Sequence, residues 1–348
     1  MKSLKFTFLP PVSFHFSVGF KNLVKKIKFK NVLFFPKFSL KDMIPFSKRM
    51  IRLIFPLGLR KRFALWLNHQ QWLSSHCYLI EGIIRDFMKS NPKAFHKFMW
   101  ANHIRSYATW YDSVTLFESN KMNGSTRTCY EFFNDLNAVI KDLGLDPSRD
   151  IRTVLEVGCS LGHILRLIEK DISPDSTELV GVDIDRKAID KGTGYLKSVG
   201  SKVRLICGDM EELDCLVSNR DFDFIFAAGV ISYLDANDAT KVVANMLRRA
   251  KKIVALVGLA STAGDNRELA TSQLSIAHRS QWVHNFEAML EAAGGRVVRR
   301  RWERAESNNN QALYFVFATK ATVLPTTENS ANDAADTAED GLVKRGDI

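Results

Sequence analysis

The chain has 348 residues, 46% of them hydrophobic and 25% charged, which is enough apolar material for one large core with appendages. Its formal charge of +11 is unevenly spread: residues 1–62 hold fifteen Lys and Arg against the single acid Asp42, residues 321–348 hold six acids against Lys344 and Arg345, and the body between is nearly neutral. A neutral body argues against a nucleic-acid partner, short of a local patch, and five scattered cysteines without a C-x-x-C pair exclude a disulfide framework and a zinc site.

Residues 1–62 contain eleven of the 24 phenylalanines, interleaved with lysine as in Lys25-Lys26-Ile27-Lys28-Phe29-Lys30. No uncharged run there approaches the ~18–20 apolar residues that span a bilayer, and no compact apolar stretch ends in a small-residue cleavage site. Three readings stay open. The block touches an anionic membrane surface, to which each basic residue contributes about 1 kcal/mol; it is an inert extension ahead of an alternative start at Met43 or Met50; or it is a mitochondrial-type presequence, though short of arginine and serine.

From Phe63 the apolar residues recur at helical spacing through Trp66, Leu67, Leu73, Leu79, Ile80, Ile83, Ile84, Phe87 and Met88. Asn91-Pro92 interrupts the pattern, which resumes from Lys93 to about Ser119 with Trp110 and Tyr111 on its aromatic stripe. A third helix is expected from Arg127 to Leu143, stopped near Gly144. These segments predict a helical cap over residues 63–145, followed by a sheet domain over 146–320 and a disordered acidic tail over 321–348. In the sheet domain strands and helices alternate, as in a parallel sheet. A helix is predicted over Ala239–Arg249, a strand over Ile253–Val257 and a helix over Gln281–Ala293. Strands Arg296–Trp302 and Ala312–Phe317 close the domain, joined by the polar turn Ser307-Asn308-Asn309-Asn310.

The run Val154-Leu155-Glu156-Val157-Gly158-Cys159-Ser160-Leu161-Gly162-His163-Ile164-Leu165 reads as an apolar strand, a tight turn and a helix start, which can bring backbone N–H groups to a polar cofactor. About twenty residues on, Leu179-Val180-Gly181-Val182-Asp183 is a second buried strand ending in a carboxylate, the spacing a ribose-binding acid needs. Here the chain resembles the class I S-adenosylmethionine-dependent methyltransferases over residues 152 to about 257. Glu156-x-Gly158-x-Ser160-x-Gly162 is similar to that family's first motif, with Ser160 where the family has its middle glycine. Asp183 matches the acid after the second strand. Cys207-Gly208-Asp209-Met210 matches the adenine-side motif, and Phe222 to Val230 the fourth strand beside the methyl-transfer pocket.

The resemblance implies a seven-stranded Rossmann-like α/β sheet, mostly parallel with a C-terminal antiparallel hairpin, behind an N-terminal helical cap. It implies S-adenosylmethionine as cofactor, held by Glu156, Gly158, Cys159, Ser160, Gly162, Asp183, Ile184, Asp209, Met210 and Ala227. Glu156 would organise the loop, Asp183 would accept the ribose hydroxyls, and Asp209 would accept from the adenine amino group, with the Met210 N–H facing a ring nitrogen. No metal is expected.

Methyl transfer to oxygen would usually need a base, and histidine titrates near the operating pH. His278 and His284 flank the start of the predicted helix after the fifth strand, and Tyr233 should stand at the carboxyl end of the fourth; these are the catalytic candidates. The expected acceptor is an oxygen or nitrogen of a small molecule, a saccharide or a lipid-linked intermediate. The expected location is cytoplasmic, with residues 1–62 as the route to peripheral contact with the inner membrane face. Two rivals stand beside this reading. Gly158-Cys159-Ser160-Leu161-Gly162 fits the G-x-S-x-G elbow of α/β-hydrolases, with Asp223 and His278 or His284 as partners of Ser160, and a methyltransferase-like fold could bind without catalysing.

Overall fold

A computed structural model describes residues 55–70, 77–104, 127–176, 178–218, 220–275, 280–303 and 313–321. The chain divides into two units, Met1–Ile51 and Arg52–Ile348, and all the described residues belong to the second. His278, Trp110, Tyr111, the basic block up to residue 54, the Ser307–Asn310 turn and the acidic tail beyond Ala321 lie outside the described residues.

The described chain opens on the helices α1 (Leu57–His69), α2 (Cys77–Ile83), α3 (Arg85–Ser90) and α4 (Pro92–Ala101). α1 crosses the boundary expected at residue 62. Asn91 breaks the run as predicted and restarts it: its side chain caps α4 by accepting from the Ala94 N–H at 3.0 Å, with Pro92 at the first helical position.

α1 is pinned by polar groups. Arg60 is almost fully buried and donates to both carboxylate oxygens of Asp86 (2.6 and 2.8 Å) and to the Ile83 carbonyl (2.9 Å). The guanidinium holds the Asp86 carboxyl below its usual range. Asp86 therefore contributes stability above the ordinary carboxylate range that is lost as pH falls through its depressed pKa. Arg60→Ala should cost about 1–3 kcal/mol at pH 7 and less at pH 3, as read by denaturant melts at both pH values. An equal cost at both would mean the pair contributes nothing.

The next helix, α5 (Arg127–Asp142), ends as expected at Gly144, which takes φ +65° while Leu145 N–H returns to the Ile140 carbonyl at 2.9 Å. A short α6 (Pro147–Asp150) leads into the sheet. The strands are β1 (Thr153–Val157), β2 (Glu178–Asp183), β3 (Arg204–Cys207), β4 (Phe222–Ala228), β5 (Ala250–Gly258), β8 (Gly295–Glu303) and β9 (Leu313–Lys320), in the spatial order β3-β2-β1-β4-β5-β9-β8. β1 to β5 pair in parallel, while β9 runs antiparallel to both β5 and β8. This is the seven-stranded, mostly parallel sheet with a closing hairpin that the sequence predicts.

From Phe224 onward successive residues of β4 feed opposite faces of the sheet, because side chains alternate along a strand, while a register shift between Phe222 and Phe224 resets the alternation. Phe222, Ile225 and Ala227 join one core layer with Val242, Val243, Met246 and Leu247 of α10 (Ala236–Arg249), after α7 (His163–Leu167), α8 (Arg186–Ser198) and α9 (Leu213–Leu216) in chain order. Phe224 and Phe226 join the other, with Ile189 and Leu196 of α8 and Phe132, Phe133, Leu136, Val139 and Ile140 of α5.

α5 therefore belongs to the sheet sandwich and not to the cap where the sequence reading placed it. Its Phe132 ring lies 5.7 Å from Phe226 and 5.6 Å from Phe317. Buried Asp135 on the same helix is clamped by Arg299 (2.7 Å) and Arg301 (2.6 Å) of β8.

A second correction concerns residues 281–293. Gln281–Val283 form β7, which pairs antiparallel with β6 (Gln273–Ser275), and α11 spans only Phe286–Ala292. The reason is local: the Asn285 side chain accepts from the Ala288 N–H at 3.0 Å and so sets the helix start after Val283.

Candidate active site

β1 leaves the middle of the sheet between β2 and β4, where the strand order reverses, and open α/β sheets bind ligands at the carboxyl ends of such strands. The loop Gly158–Gly162 lies there. Gly158 takes φ +77°, and a Cβ on it would come within 2.1 Å of Val230 Cγ1; Gly162 takes φ +76°, with Leu205 at 2.8 Å. Ser160 sits at φ +49°, in the left-handed region that glycine favours, which explains why the resembled family has glycine at this position.

The loop is tied to β2 through its own N–H groups. Gly158 and Cys159 donate to the Val182 carbonyl (2.7 and 3.1 Å), Gly162 to the Cys159 carbonyl (2.8 Å), and Ser160 to Asp183 Oδ2 (2.7 Å). The expectation that these N–H groups face a cofactor is thus corrected: they are bonded inside the fold. Cys159 is buried against Gly181, as expected of a small residue in a tight turn.

Asp183 is the hub of this rim. Its second oxygen accepts from the Asp185 N–H at 2.8 Å, and the Ile184 N–H adds a further backbone hydrogen bond to the carboxylate. Burial raises its pKa against the pull of those N–H donors. Asp185 then caps α8 through the Lys187 and Ala188 N–H groups and binds His103 Nδ1 at 2.6 Å. Glu156, on β1, is 1% exposed, accepts a backbone hydrogen bond from Leu165, and has Oε2 buried without a partner. Burial, then the neighbouring Asp183 charge, pushes its carboxyl well above the usual range. An orphaned buried acid oxygen at this rim fits a ligand carrying positive charge.

Asp209 follows β3. Its Oδ1 accepts from the Glu211 N–H at 3.0 Å, and its carboxylate pairs with Lys97 of α4. Met210 packs against the core beside it, and Ile184 is half-buried at the end of β2. Ala227 is fully buried in the core near the end of β4, followed by half-buried Ala228 and exposed Gly229.

α4 lies across this rim, as a cap helix should. Lys93 pairs with Glu211 (2.6 Å) and Asp238, and His96 Nε2 meets the Ser280 carbonyl at 3.0 Å. Tyr233, in the short turn Ile231–Tyr233 after β4, packs 5.0 Å from the His96 ring and 5.6 Å from that of Trp100. The sequence placed Tyr233 at the end of β4 but did not single out His96 or Trp100; only their helical spacing of four hinted at a shared face.

His284 is brought to the same region but is 2% exposed, with Nδ1 bonded to Ser272 Oγ (2.7 Å) and Nε2 to the Ile231 carbonyl (3.2 Å). Burial lowers its pKa to about 4, so the ring is neutral at physiological pH. The hydrolase arrangement is excluded. Asp223 stands at the start of β4 and accepts from the Arg152 and Thr153 N–H groups (3.0 and 2.9 Å). It is separated from Ser160 by the length of β1, roughly 16 Å. Among the described residues no His, Cys, Asp or Glu cluster could hold a metal ion.

Residues 154–252 match the family model described as a methyltransferase domain. No curated protein matches the chain. Solved structures that match include the plantazolicin methyltransferase BamL in complex with an analogue and SAH, 15% identical over 67% of this chain and 97% of that one, TM-score 0.48. Another is the magnesium protoporphyrin IX methyltransferase of Synechocystis PCC 6803 with bound SAH, 14% identical over 69% and 98%, TM-score 0.43. A SAM-dependent methyltransferase from Aquifex aeolicus is 20% identical over 53% and 88%, TM-score 0.35. The matched segment runs from β1 into β5 around this rim, so this part of the chain is similar to a methyltransferase domain.

Proposed function

We propose that the chain transfers the methyl group of S-adenosylmethionine to an oxygen or nitrogen of a small-molecule, saccharide or lipid-linked acceptor. The observation that carries this reading is the pairing of the orphaned Glu156 oxygen with an aromatic-lined exit from β4. When bound, the cofactor supplies a methyl group on an already activated sulfonium, so alignment of the acceptor accounts for much of the rate. Glu156 offers negative charge to the cationic end, Asp183 offers its remaining acceptor capacity to the ribose, and Asp209 accepts at the adenine side. Gly158 and Gly162 let the loop pack closely against Val230 and Leu205, where side chains would collide. Tyr233 and Trp100, half-buried and packed edge to face, supply the aromatic surface that would meet a sugar or another cyclic acceptor, with buried His96 behind them.

His284 is assigned a positioning role: it fastens the turn that carries Tyr233 to the β6–β7 hairpin. His284→Gln should leave the pH profile of turnover without a lost inflection between pH 5 and 9, while KM rises more than kcat falls. A vanished inflection in that range would return His284 to the role of base. The same buried ring makes the fold less stable as pH drops from about 6.5 toward 4, since the unfolded chain takes up that proton first.

The acceptor class is tested by transfer of methyl-labelled cofactor into a soluble metabolite fraction and a lipid-linked saccharide fraction. Label entering either fraction and lost in Tyr233→Ala supports the reading. Cofactor binding without transfer to any fraction overturns it in favour of a binding module. For the partner at a surface, the basic block 1–62 supports peripheral contact with an anionic membrane, since it holds fifteen basic residues against one acid.

A further inference from the structure

α1 is inside out. The face turned to the protein holds Arg60 and Asn68 beside Ala64 and Leu67, while Leu59, Phe63 and Trp66, spaced i, i+4, i+7, stand 48%, 43% and 53% exposed. Phe55, just before the helix, is 43% exposed. The Phe63 and Trp66 rings stack at 5.6 Å, so the outward face is a formed aromatic patch. Each inward polar group is satisfied: Arg60 by Asp86 and the Ile83 carbonyl, Asn68 by the Asn102 and His103 carbonyls (3.4 and 3.2 Å). Rotating the helix to bury the aromatics would break those bonds, so the exposure is built into the packing.

We propose that this outward face of α1 docks into the interface of an anionic lipid bilayer. The inference rests on the peripheral-membrane reading above and says where the contact lies. Charge selects the occupant. Arg62 is exposed within the stripe, His69 is exposed at its end, and no Asp or Glu occurs from Met43 to Ile80. The chain leading into the helix is the most basic stretch of the sequence. Asp86, the acid packed against α1, is taken up by buried Arg60, which leaves tryptophan, phenylalanine and leucine beside Arg62 outward, the chemistry of a helix lying in the headgroup layer. A second copy of this chain would bring like charge against like charge at the same face. Among the described residues no helix is long and apolar enough to cross a membrane, so contact through them is at the surface.

The test uses the full chain, a Phe63→Ser/Trp66→Ser variant, and a variant with the lysines of residues 21–30 changed to glutamine. Flotation is measured with vesicles of phosphatidylcholine alone and with roughly one-third phosphatidylglycerol, where each basic residue near the lipid counts. The wild type should float with the anionic vesicles, show a blue-shifted tryptophan emission there, and lose at least about tenfold of its partitioning in the aromatic variant. S-adenosylmethionine binding in solution should be unchanged in that variant, which shows that it folds. If the wild type does not float, the peripheral-membrane reading fails and the inference with it. If the wild type and the aromatic variant float equally while the glutamine variant does not, the membrane reading stands and the α1 assignment is overturned. A concentration-dependent dimer that disappears in the aromatic variant without lipid would also overturn it, placing a second copy on the face.

Discussion

Asp183→Ala is expected to abolish measurable S-adenosylmethionine binding while leaving a folded but weakened protein. The carboxylate accepts from Ser160 N–H on one oxygen and Asp185 N–H on the other, so its loss strands two backbone donors and releases the loop from β2 at Ser160. Hydrogen bonds to a charged group contribute about 1.5–3 kcal/mol each, so affinity should fall by at least about 100-fold and stability by about 2–4 kcal/mol. Ser160, held at φ +49°, would relax toward the conformations a non-glycine residue prefers, closing the space the cofactor needs. Calorimetric titration with S-adenosylmethionine and with its demethylated product, beside a denaturant melt, reads both effects. Unchanged affinity would remove Asp183 from the site.

Glu156→Gln should move stability and binding in opposite directions. The folded chain holds the Glu156 carboxyl protonated beyond the range in which the unfolded chain ionises it, because burial and then Asp183 disfavour its charge. Below the ordinary glutamic acid range both states are protonated and the substitution changes little. As pH rises above it, the unfolded wild type ionises first, and the ligand-free wild type loses stability that the glutamine variant keeps. The variant should thus be more stable at pH 8 and nearly equal at pH 4, with each unit by which folding raises the Glu156 pKa contributing about 1.4 kcal/mol to the gap. Its affinity for the cationic cofactor should drop roughly 10- to 100-fold, the loss of one charge-assisted contact. A cation entering beside Glu156 favours the ionised form, so wild-type binding should release a proton, seen as a buffer-dependent heat that the variant lacks. A variant with the same stability gain at both pH values would show that charge is not the cause.

The two substitutions are coupled, since Asp183 is the second cause of the raised Glu156 pKa. Asp183→Ala should therefore bring the Glu156 carboxyl closer to its ordinary range.

The legible part of this protein was what local periodicity and turn chemistry control. Apolar runs of five to seven residues separated by amphipathic helices became the parallel strands in their predicted order. Glycines at 158 and 162 occupy the left-handed backbone that only glycine enters freely, and Gly144 ends α5 where expected. Asp183 and Asp209 both fall at strand ends on one rim, because consecutive parallel strands expose their carboxyl ends on the same side. The helix ahead of residue 286 was misplaced because two short apolar groups look alike as strand or helix, and only the pairing of β7 with β6 distinguishes them.

What sequence alone determined, then, was the order of elements, the loop and its acids, and the cofactor chemistry they resemble, since each is set by residues close together in the chain. Tertiary structure decided the rest. It spent the loop's N–H groups on β2, took α5 out of the cap and into the sheet, buried Ala227, and saturated both nitrogens of His284. It also turned α1 inside out, because a bidentate bond between Arg60 and Asp86, 26 residues apart, prevailed over the burial of its aromatic face. Partners that distant leave no periodic trace, so packing and hydrogen-bond demand across the fold determine which candidate side chains reach the site.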